Sequence, residues 1–447
     1  KTRLFKFLEG MEVLVYDGEV QKKLLRDVFG NRVEIGLIDM APHIGRLFPA
    51  VAGMSLLAIR EKSRLAKYAE KTPGEIDTLM TLFTSYSFKN QESAFKDYQA
   101  DLDLVSLGTI ADMMPLKNEN RILVKQGIRS LNTTKRKGLR QILERQNLAG
   151  TRIATTDIGW QITPLLNATG RLGVPEKAAS LLFTQEEAEG KALVEEVLSL
   201  NRERKRLGDE IWEQILPKAR KSYKESEERL VFLGEEGIHR GITGIIASRL
   251  VNFFSCPAMV VALLPDKAIG SVRSVRGFSV KQILDPLSDL FLDYGGHELA
   301  AGFSLGRETY PELEKRIPML VSGMKPAETV EESIEIDAEI PLEYFTPSLI
   351  DLVELFEPYG EENPPLVFLA RGLKIISVDL VGKTEKQHVR MLVDAGKYKW
   401  PGVFWNSAAR VNKDFAVGDT VNVVFRLGRN YFQNKETLQL TILDIAR

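Results

Sequence analysis

The feature that most constrains this chain is a helical repeat in its middle. Thr184 followed by Glu187 is a capping-box signature, and Leu193, Val197, Leu200, Leu207, Ile211 and Ile215 keep helical spacing behind it. The pattern predicts one helix of roughly thirty residues ending near Pro217, about 45 Å long at ~1.5 Å per residue. A helix of that length holds two bodies apart, so the chain is read as separate domains on either side of it. Its 447 residues leave room for about three.

Ahead of the helix, Met11 to Tyr16 is strand-like, Val20 to Phe29 reads as a short amphipathic helix, and Val33 to Ile38 is strand-like again. This β-α-β alternation predicts a mostly parallel, helix-covered sheet, whose strand ends carry Asp17 and Asp39. Val51 to Lys67 is helical in pattern, and polar helices or loops run on to about Lys96. A third apolar run, Leu102 to Ile110, is read as a strand that delivers Asp112 to its end.

Behind the helix, a second α/β domain is expected from about Glu228 to Met324. The polar linker Lys325-Pro326-Ala327-Glu328-Thr329-Val330-Glu331-Glu332 closes it. From Ile334 on, Leu373 to Leu380, His388 to Asp394, Gly402 to Asn406, Thr420 to Leu427 and Thr437 to Ile445 read as short strands between Gly, Asn, Lys and Asp turns. Such strands suit a small closed barrel of the OB type.

Composition excludes several classes. No apolar run approaches the ~20 residues that span a bilayer, and 44% hydrophobic with 27% charged residues is ordinary for a soluble globular protein. A net charge of −1 rules out a global positive field, so any nucleic-acid contact must be local. The single cysteine, Cys256, lies in an apolar run and reads as a core residue. It excludes a disulfide framework and a cysteine-based zinc site, and it fits a reducing, cytoplasmic compartment. The first residue is Lys1 and no signal peptide follows it, so the sequence is expected to begin inside a longer protein.

Three short stretches carry chemistry. Gly295-Gly296-His297-Glu298-Leu299-Ala300-Ala301-Gly302 reads as a glycine-rich loop whose backbone can approach a phosphate and whose histidine can donate to an oxygen or bind metal; a tight turn with a surface histidine is the structural alternative. In Gly270-Ser271-Val272-Arg273-Ser274, Ser271 and Arg273 share one side of a strand, a hydroxyl beside a forked cation, and suit a terminal phosphate. His239-Arg240-Gly241-Ile242-Thr243-Gly244 is a glycine-rich strand-to-helix turn whose amides can receive an anion. In the barrel, Lys383, Lys386, His388 and Arg390 lie near Trp400, Trp405, Tyr431 and Phe432. Cations interleaved with aromatics suit single strands, and half of these aromatics are expected in the core.

At these residues the sequence resembles the RecJ family of the DHH phosphoesterase superfamily. The resemblance runs from Leu47 onward. It takes in Leu107 to Asp112, Glu119-Asn120-Arg121, Asp157-Ile158-Gly159, Leu166 to Gly173, Leu200 to Arg204, the three stretches above and Pro358-Tyr359-Gly360-Glu361-Glu362-Asn363-Pro364. It implies an α/β protein laid out as the remnant of a DHH parallel-sheet domain (1–183), a connector helix (184–227), a DHHA1 domain (228–325) and an OB-fold barrel (332–447). The implied activity is a single-strand-specific 5′-to-3′ DNA exonuclease of recombination and repair. The enzyme would use Mn²⁺ or Mg²⁺, as a monomer, with helicases or single-strand-binding proteins as partners. By the same resemblance Asp112 is a metal-binding aspartate, His297 faces the metal centre, and Arg171, Ser271 and Arg273 hold the 5′ end; Gly295, Gly296, Lys383, Trp405 and Tyr431 are read from their residue types as touching the substrate.

The departures matter as much. The family places an aspartate pair on its first strand and an Asp-His-His on a later one, and this chain has neither. Asp17-Gly18-Glu19 stands at about the distance before Val51-Ala52-Gly53 where the Asp-His-His belongs, which makes Asp17 the residual aspartate; strand-Asp-Gly also describes a β-turn. Asp39 and His43 have no family counterpart and read as a helix cap and a surface histidine. A catalytically inactive strand-binding or scaffold protein is therefore the rival reading. A smaller DHH phosphodiesterase acting on oligonucleotides or cyclic dinucleotides fits the barrel less well.

Overall fold

The first sheet is two strands wide. β1 (Glu12–Val15) and β2 (Gly36–Asp39) pair in parallel, with Val15 opposite Asp39, and the helix Gly18–Phe29 crosses between them. Tyr16, Met40, Ile44 and Ile59 make a small core beneath, and the Tyr16 hydroxyl donates to the Met54 carbonyl at 2.9 Å. The computed structural model describes every residue except 1–2, 9, 31–34, 64–71, 325–332, 383–386 and 433–434, and only the backbone of 4–5, 92–95, 431–432 and 435. The chain divides into two compact units, Lys1–Ser106 with Lys117–Leu131, and Leu107–Leu116 with Asn132–Arg447.

Three local expectations are corrected. Leu102 to Ile110 is not a strand but the end of the helix Glu92–Ala111, so Asp112 follows a helix. Its buried residues Leu102, Asp103, Ser106 and Leu107 form a helical stripe, a spacing that a short apolar run conceals. Within Val51 to Lys67, the α-helix covers only Leu56–Lys62, after a 3₁₀ turn at Pro49–Val51; 64–67 lie outside the described residues. The connector helix spans Glu187–Glu225, running through Pro217 rather than stopping there. An interior proline costs about 3 kcal/mol, but Ile211, Ile215 and Ala219 are buried on either side of it, and each large apolar side chain so buried returns about 1.5 to 3 kcal/mol. Packing outweighs the missing hydrogen bond.

The connector is fastened at both ends. At its start Glu187 accepts from Gln141 Nε2 at 2.7 Å, Glu195 pairs with Arg145 and Glu196 with Lys177. Thr184 Oγ1 accepts from the Glu186 amide, and Glu186 is the N-cap residue. At its far end, Ser222 and Ser226 hydroxyls accept the Phe232 and Leu230 amides at 2.9 and 3.2 Å, which satisfies donors at the edge strand β3 (Val231–Glu235).

That strand opens a five-stranded sheet in the order β3-β4-β5-β7-β6, where β4 is Ala258–Leu263, β5 Lys267–Arg273, β6 Asp293–His297 and β7 Ala300–Gly306. Only β3 and β4 are parallel. One face packs Val260 and Ala262 on the helix Thr243–Phe254 and the connector, and the other packs Val261, Val272 and Phe303 on the helix Tyr310–Gly323. Cys256 is buried, and burial pushes its thiol up to about 12, as a core cysteine requires.

The C-terminal strands are β8 (Ala338–Glu339), β9 (Phe368–Val381), β10 (His388–Asp394), β11 (Lys399–Phe404), β12 (Thr420–Phe432) and β13 (Lys435–Ala446). Because β9 pairs with both β10 and β12, the sheet closes into the expected barrel around Phe345, Trp400 and Phe425. The Pro358 to Pro364 stretch seats it. Thr155 Oγ1 donates to the Tyr359 carbonyl at 2.6 Å, the Leu116 amide donates to Glu361 O at 2.8 Å, and Arg152 bridges to Glu354 and Glu357.

Candidate functional site

Strand register builds a floor. Ser271 lies opposite Gly302, which lies opposite Gly295, and Arg273 lies opposite Ala300, which lies opposite His297. Directly paired residues share a face, so Ser271, Arg273 and His297 rise from one surface, with about two strand spacings of ~4.8 Å between the outer two. The Gly-Gly-His stretch is thus not a loop, as expected from sequence, but the exposed edge strand β6 of a hairpin.

The glycines divide into two kinds. A Cβ on Gly270 would stand 2.0 Å from the Phe303 ring, and one on Gly296 would stand 2.3 Å from the Ala300 carbonyl. Those two are glycine because packing demands it. A Cβ on Gly295 would meet nothing within 4 Å, and one on Gly302 only the Gly270 carbonyl at 3.8 Å. They leave bare backbone in the floor, open to a ligand.

The N-terminus of the helix Thr243–Phe254 forms one wall. Thr243 and Ser271 hydroxyls share a 2.9 Å hydrogen bond. A Cβ on Gly244 would fall 2.8 Å from Arg273 Nη2, so the guanidinium lies against the helix start, where free amides favour an anion. His239 Nδ1 accepts from the Gly241 amide at 3.1 Å and caps the turn. Gly241 in turn packs on the Arg171 carbonyl, and Arg171 Nη1 donates to Gly241 O at 3.2 Å. That contact brings the end of the helix Thr163–Arg171 to the same pocket, beside a cavity of about 480 Å³ lined in part by Asn167, Thr169, Gly170 and Arg171.

Electrostatics set the pocket apart. Arg171, Arg204 and Arg273 are partly buried, and none forms an ion pair among the described residues. Burial lowers the proton affinity of all three, and the charge of Arg171 lowers Arg204 and Arg273 further. Arg171 thus has a cation on either side and no ion-paired carboxylate among the described residues, an arrangement whose charge suits a polyanion. Sequence reasoning missed Arg204, although it lies in the Leu200 to Arg204 stretch. A larger cavity of about 560 Å³ beneath the connector's far end is lined by both signs of charge, among them the paired Lys218 and Glu235, and shows no such surplus.

The other predicted residues have their own local settings. Asp112 is exposed beyond its helix. Asp17 adopts the left-handed region at φ 58° before its helix and makes no capping bond. Asp39 accepts from the Gly18 and Ala41 amides at 2.8 and 2.9 Å, and His43 meets the Tyr86 hydroxyl at 3.4 Å on the surface. Trp400 is core, stacked on Phe345, while Trp405 is exposed with His388 against its ring. Arg390 faces Asp379. Tyr431 and Phe432 have only their strand backbone described, and Lys383 and Lys386 lie outside the described residues.

A two-metal centre does not fit this donor set. Among the described residues no three His, Cys, Asp or Glu side chains converge, and the Asp39 carboxylate is already engaged by backbone amides.

Comparison with known proteins agrees with the domains just described. Two family models match, the DHHA1 domain over residues 227–322 and the RecJ OB domain over 336–444. The single-stranded-DNA-specific exonuclease RecJ of Bacillus subtilis is 29% identical over 350 residues, 77% of this chain and 44% of that protein. RecJ of Thermus thermophilus is 36% identical over 270 residues, 60% of this chain and 38% of that protein. The crystal structure of RecJ from Thermus thermophilus in complex with Mg²⁺ superposes with a TM-score of 0.65 and 28% identity, covering 86% of this chain and 57% of that one. The chain therefore spans under half the length of these two relatives, and among the described residues no helix is long and apolar enough to cross a membrane. The chain thus carries a DHHA1 domain and a RecJ OB domain and is similar over most of its length to RecJ exonucleases.

Proposed function

We propose that this chain carries the strand-gripping part of a single-stranded-DNA-specific exonuclease that works from the 5′ end in recombination and repair. One observation carries the reading: Arg171 and Arg273, in no ion pair among the described residues, reach the turn and helix start at Gly241 to Gly244, beside the bonded Ser271 and Thr243 hydroxyls. A terminal phosphate offers more charge and more free oxygens than a chain-internal one, and a forked guanidinium with a hydroxyl beside it suits that difference. The exposed Trp405 on the barrel supports stacking of bases further along the strand. The domain layout proposed is a partial DHH domain to residue 183, the connector to 227, DHHA1 to 325 and the OB-fold from 332.

Solved relatives in complex with Mg²⁺ and with Mn²⁺ make a divalent ion the expected cofactor, with Asp112 proposed as a ligand, His297 as facing the ion, and Asp17 as a further candidate metal-binding aspartate. These residues fall short of a two-metal set, so no hydrolytic step is assigned to them. That shortfall among the described residues favours, as the second reading, a catalytically inactive single-strand-binding or scaffold protein. Helicases and single-strand-binding proteins are the proposed partners of a cytoplasmic monomer.

Digestion of 5′-labelled single-stranded DNA with Mn²⁺ separates the readings. Binding with release at least about a hundredfold slower than by a complete RecJ is expected. Robust Mn²⁺-dependent release of 5′ nucleotides overturns the assignment of an incomplete centre. In any longer active form, Asp112→Ala is expected to abolish cleavage and spare binding; equal loss of both makes Asp112 structural.

A further inference from the structure

We propose that Arg204 forms a second anion subsite beside Arg171, which takes the phosphate one nucleotide inward from the 5′ end of the strand. The proposal rests on the terminal-phosphate reading above and deepens it.

The connector helix buries Gly190, Leu193, Val194, Val197 and Asn201 along one stripe, packed in part on the helix Thr163–Arg171 that carries Arg171. Arg204 is the next position of that stripe, three residues beyond Asn201, so its side chain is drawn onto the same face. There it goes unanswered. Its Nε is buried and makes no hydrogen bond, and Asn201, itself 8% exposed, has an orphan Oδ1 one turn away. Native proteins rarely leave buried donors and acceptors unmatched, and each such atom calls for an explanation.

A structural role fails to supply one. Arg229, on the same unit, shows what a structural arginine does here: its Nη1 reaches the Val321 and Met324 carbonyls and its Nη2 pairs with Glu227. Arg204 has neither acid nor carbonyl among the described residues, and its only charged neighbour of note is Arg171. Two cations held together by the fold, with the burial of both opposing their charge, are stabilised by an anion between or beside them. Arg273, Ser271 and the helix start already account for one phosphate. The helix that ends at Arg171 packs both on the turn Arg240–Ile242, where Arg171 Nη1 meets Gly241 O, and on the connector that carries Arg204, so Arg171 stands between the helix start at Arg273 and Arg204. A single-stranded nucleic acid presents its charges in that form, as successive phosphates, and a lone phosphate ion does not.

The test uses the full chain and three probes: thymidine 5′-monophosphate, the 5′-phosphorylated thymidine dinucleotide, and the same dinucleotide with a 5′-hydroxyl. The wild-type chain is expected to bind the phosphorylated dinucleotide at least about tenfold more tightly than the mononucleotide. Arg204→Gln should remove that gain while leaving mononucleotide affinity within about twofold, and should reduce the salt slope of dinucleotide binding by about 0.7. Arg204→Lys keeps the charge and should retain part of the gain, which separates the subsite from a folding defect. If Arg204→Gln weakens mononucleotide and dinucleotide by the same factor, or if the wild-type chain binds the two equally, the second subsite is overturned alone. Equal wild-type affinity for the 5′-hydroxyl and 5′-phosphate dinucleotides overturns the terminal-phosphate reading and this proposal with it.

Discussion

The same side chain plays opposite parts in two regions of one unit. Where the barrel is seated, burial alone would weaken Arg152's hold on its proton, but Glu354 and Glu357 override it; Arg429, bonded to Glu354 and Glu436, holds its proton more tightly than usual. In the pocket, Arg171, Arg204 and Arg273 are shifted the other way by burial, and Arg204 and Arg273 further by the charge of Arg171. The seam's arginines meet carboxylates; in the pocket Arg171 and Arg273 meet only backbone carbonyls, and among the described residues none of the three is paired with an acid. A charge left without its opposite costs the folded state stability that a bound anion can return, and that difference distinguishes a joint from a receptor.

The largest expected effect tests the receptor. Arg273→Ala should weaken 5′-phosphorylated strands about ten- to a hundredfold, since charge-assisted hydrogen bonds contribute roughly 1.5 to 3 kcal/mol each, and should weaken 5′-hydroxyl strands much less. Binding isotherms on both oligonucleotides at one fixed salt concentration measure it. A uniform loss makes Arg273 a general backbone contact.

The joint responds in a different quantity. Glu354→Gln should cost roughly 1 to 2 kcal/mol, because the arginines it bridges remain partly solvated, and lower the thermal midpoint by a few degrees. Affinity for 5′-phosphorylated strands should stay within about twofold. Burial would raise the Glu354 carboxyl, but Arg429 and Arg152 hold it below its ordinary value of 4.5. Its contribution is therefore present above that value and lost as the pH falls through the lowered one. Glu357, raised by burial in spite of Arg152, acts with the opposite sign, favouring the fold at low pH and losing that contribution as the pH rises through its raised value. A melting series from about pH 3 to 7 should show less acid-induced loss in Glu354→Gln than in the parent chain. An unchanged acid limb would remove Glu354 from the joint.

Trp405 belongs to neither set. The residue is 57% exposed, and stacking does not sense a terminal group. Trp405→Ala should weaken both kinds of strand alike, by about fivefold at the low end of base-stacking energies. A loss confined to 5′-phosphorylated strands would place the barrel at the 5′ end and undo the division of labour.

What the sequence revealed and concealed follows from the range of each interaction. The barrel strands were legible because alternation and turn residues act within a few positions, and Ser271 with Arg273 was legible because period-two spacing fixes a shared face. Leu102 to Ile110 misled because a short apolar run does not show whether its buried residues are spaced by two or by four. Pro217 misled because its local cost is outweighed by Ile211 and Ile215, whose partners lie on strands further along the chain. Arg204 was invisible for a deeper reason: its importance is the lack of an acid around it in space, and a linear sequence full of glutamates hides that lack.

The smallest effect sharpens the comparison at the level of one methyl group. Gly295 and Gly296 are adjacent and read alike in sequence, yet a Cβ on the second would overlap the Ala300 carbonyl and the Ala301 Cα, while one on the first meets open space. Gly296→Ala should therefore destabilise by roughly 1 to 3 kcal/mol, the usual cost of overpacking. Gly295→Ala should leave stability within about 0.5 kcal/mol, as a surface substitution does. If bare backbone at Gly295 is the floor on which the strand lies, the added methyl group lifts the ligand away from Ser271 and Arg273. Affinity for 5′-phosphorylated strands should then fall by about two- to fivefold, corresponding to roughly 0.4 to 1 kcal/mol. Thermal midpoints and isotherms on the two variants separate the effects. Equal destabilisation by both would mean that Gly295 too is glycine for packing, and an unchanged affinity in a stable Gly295→Ala variant would move the strand's path off β6 altogether.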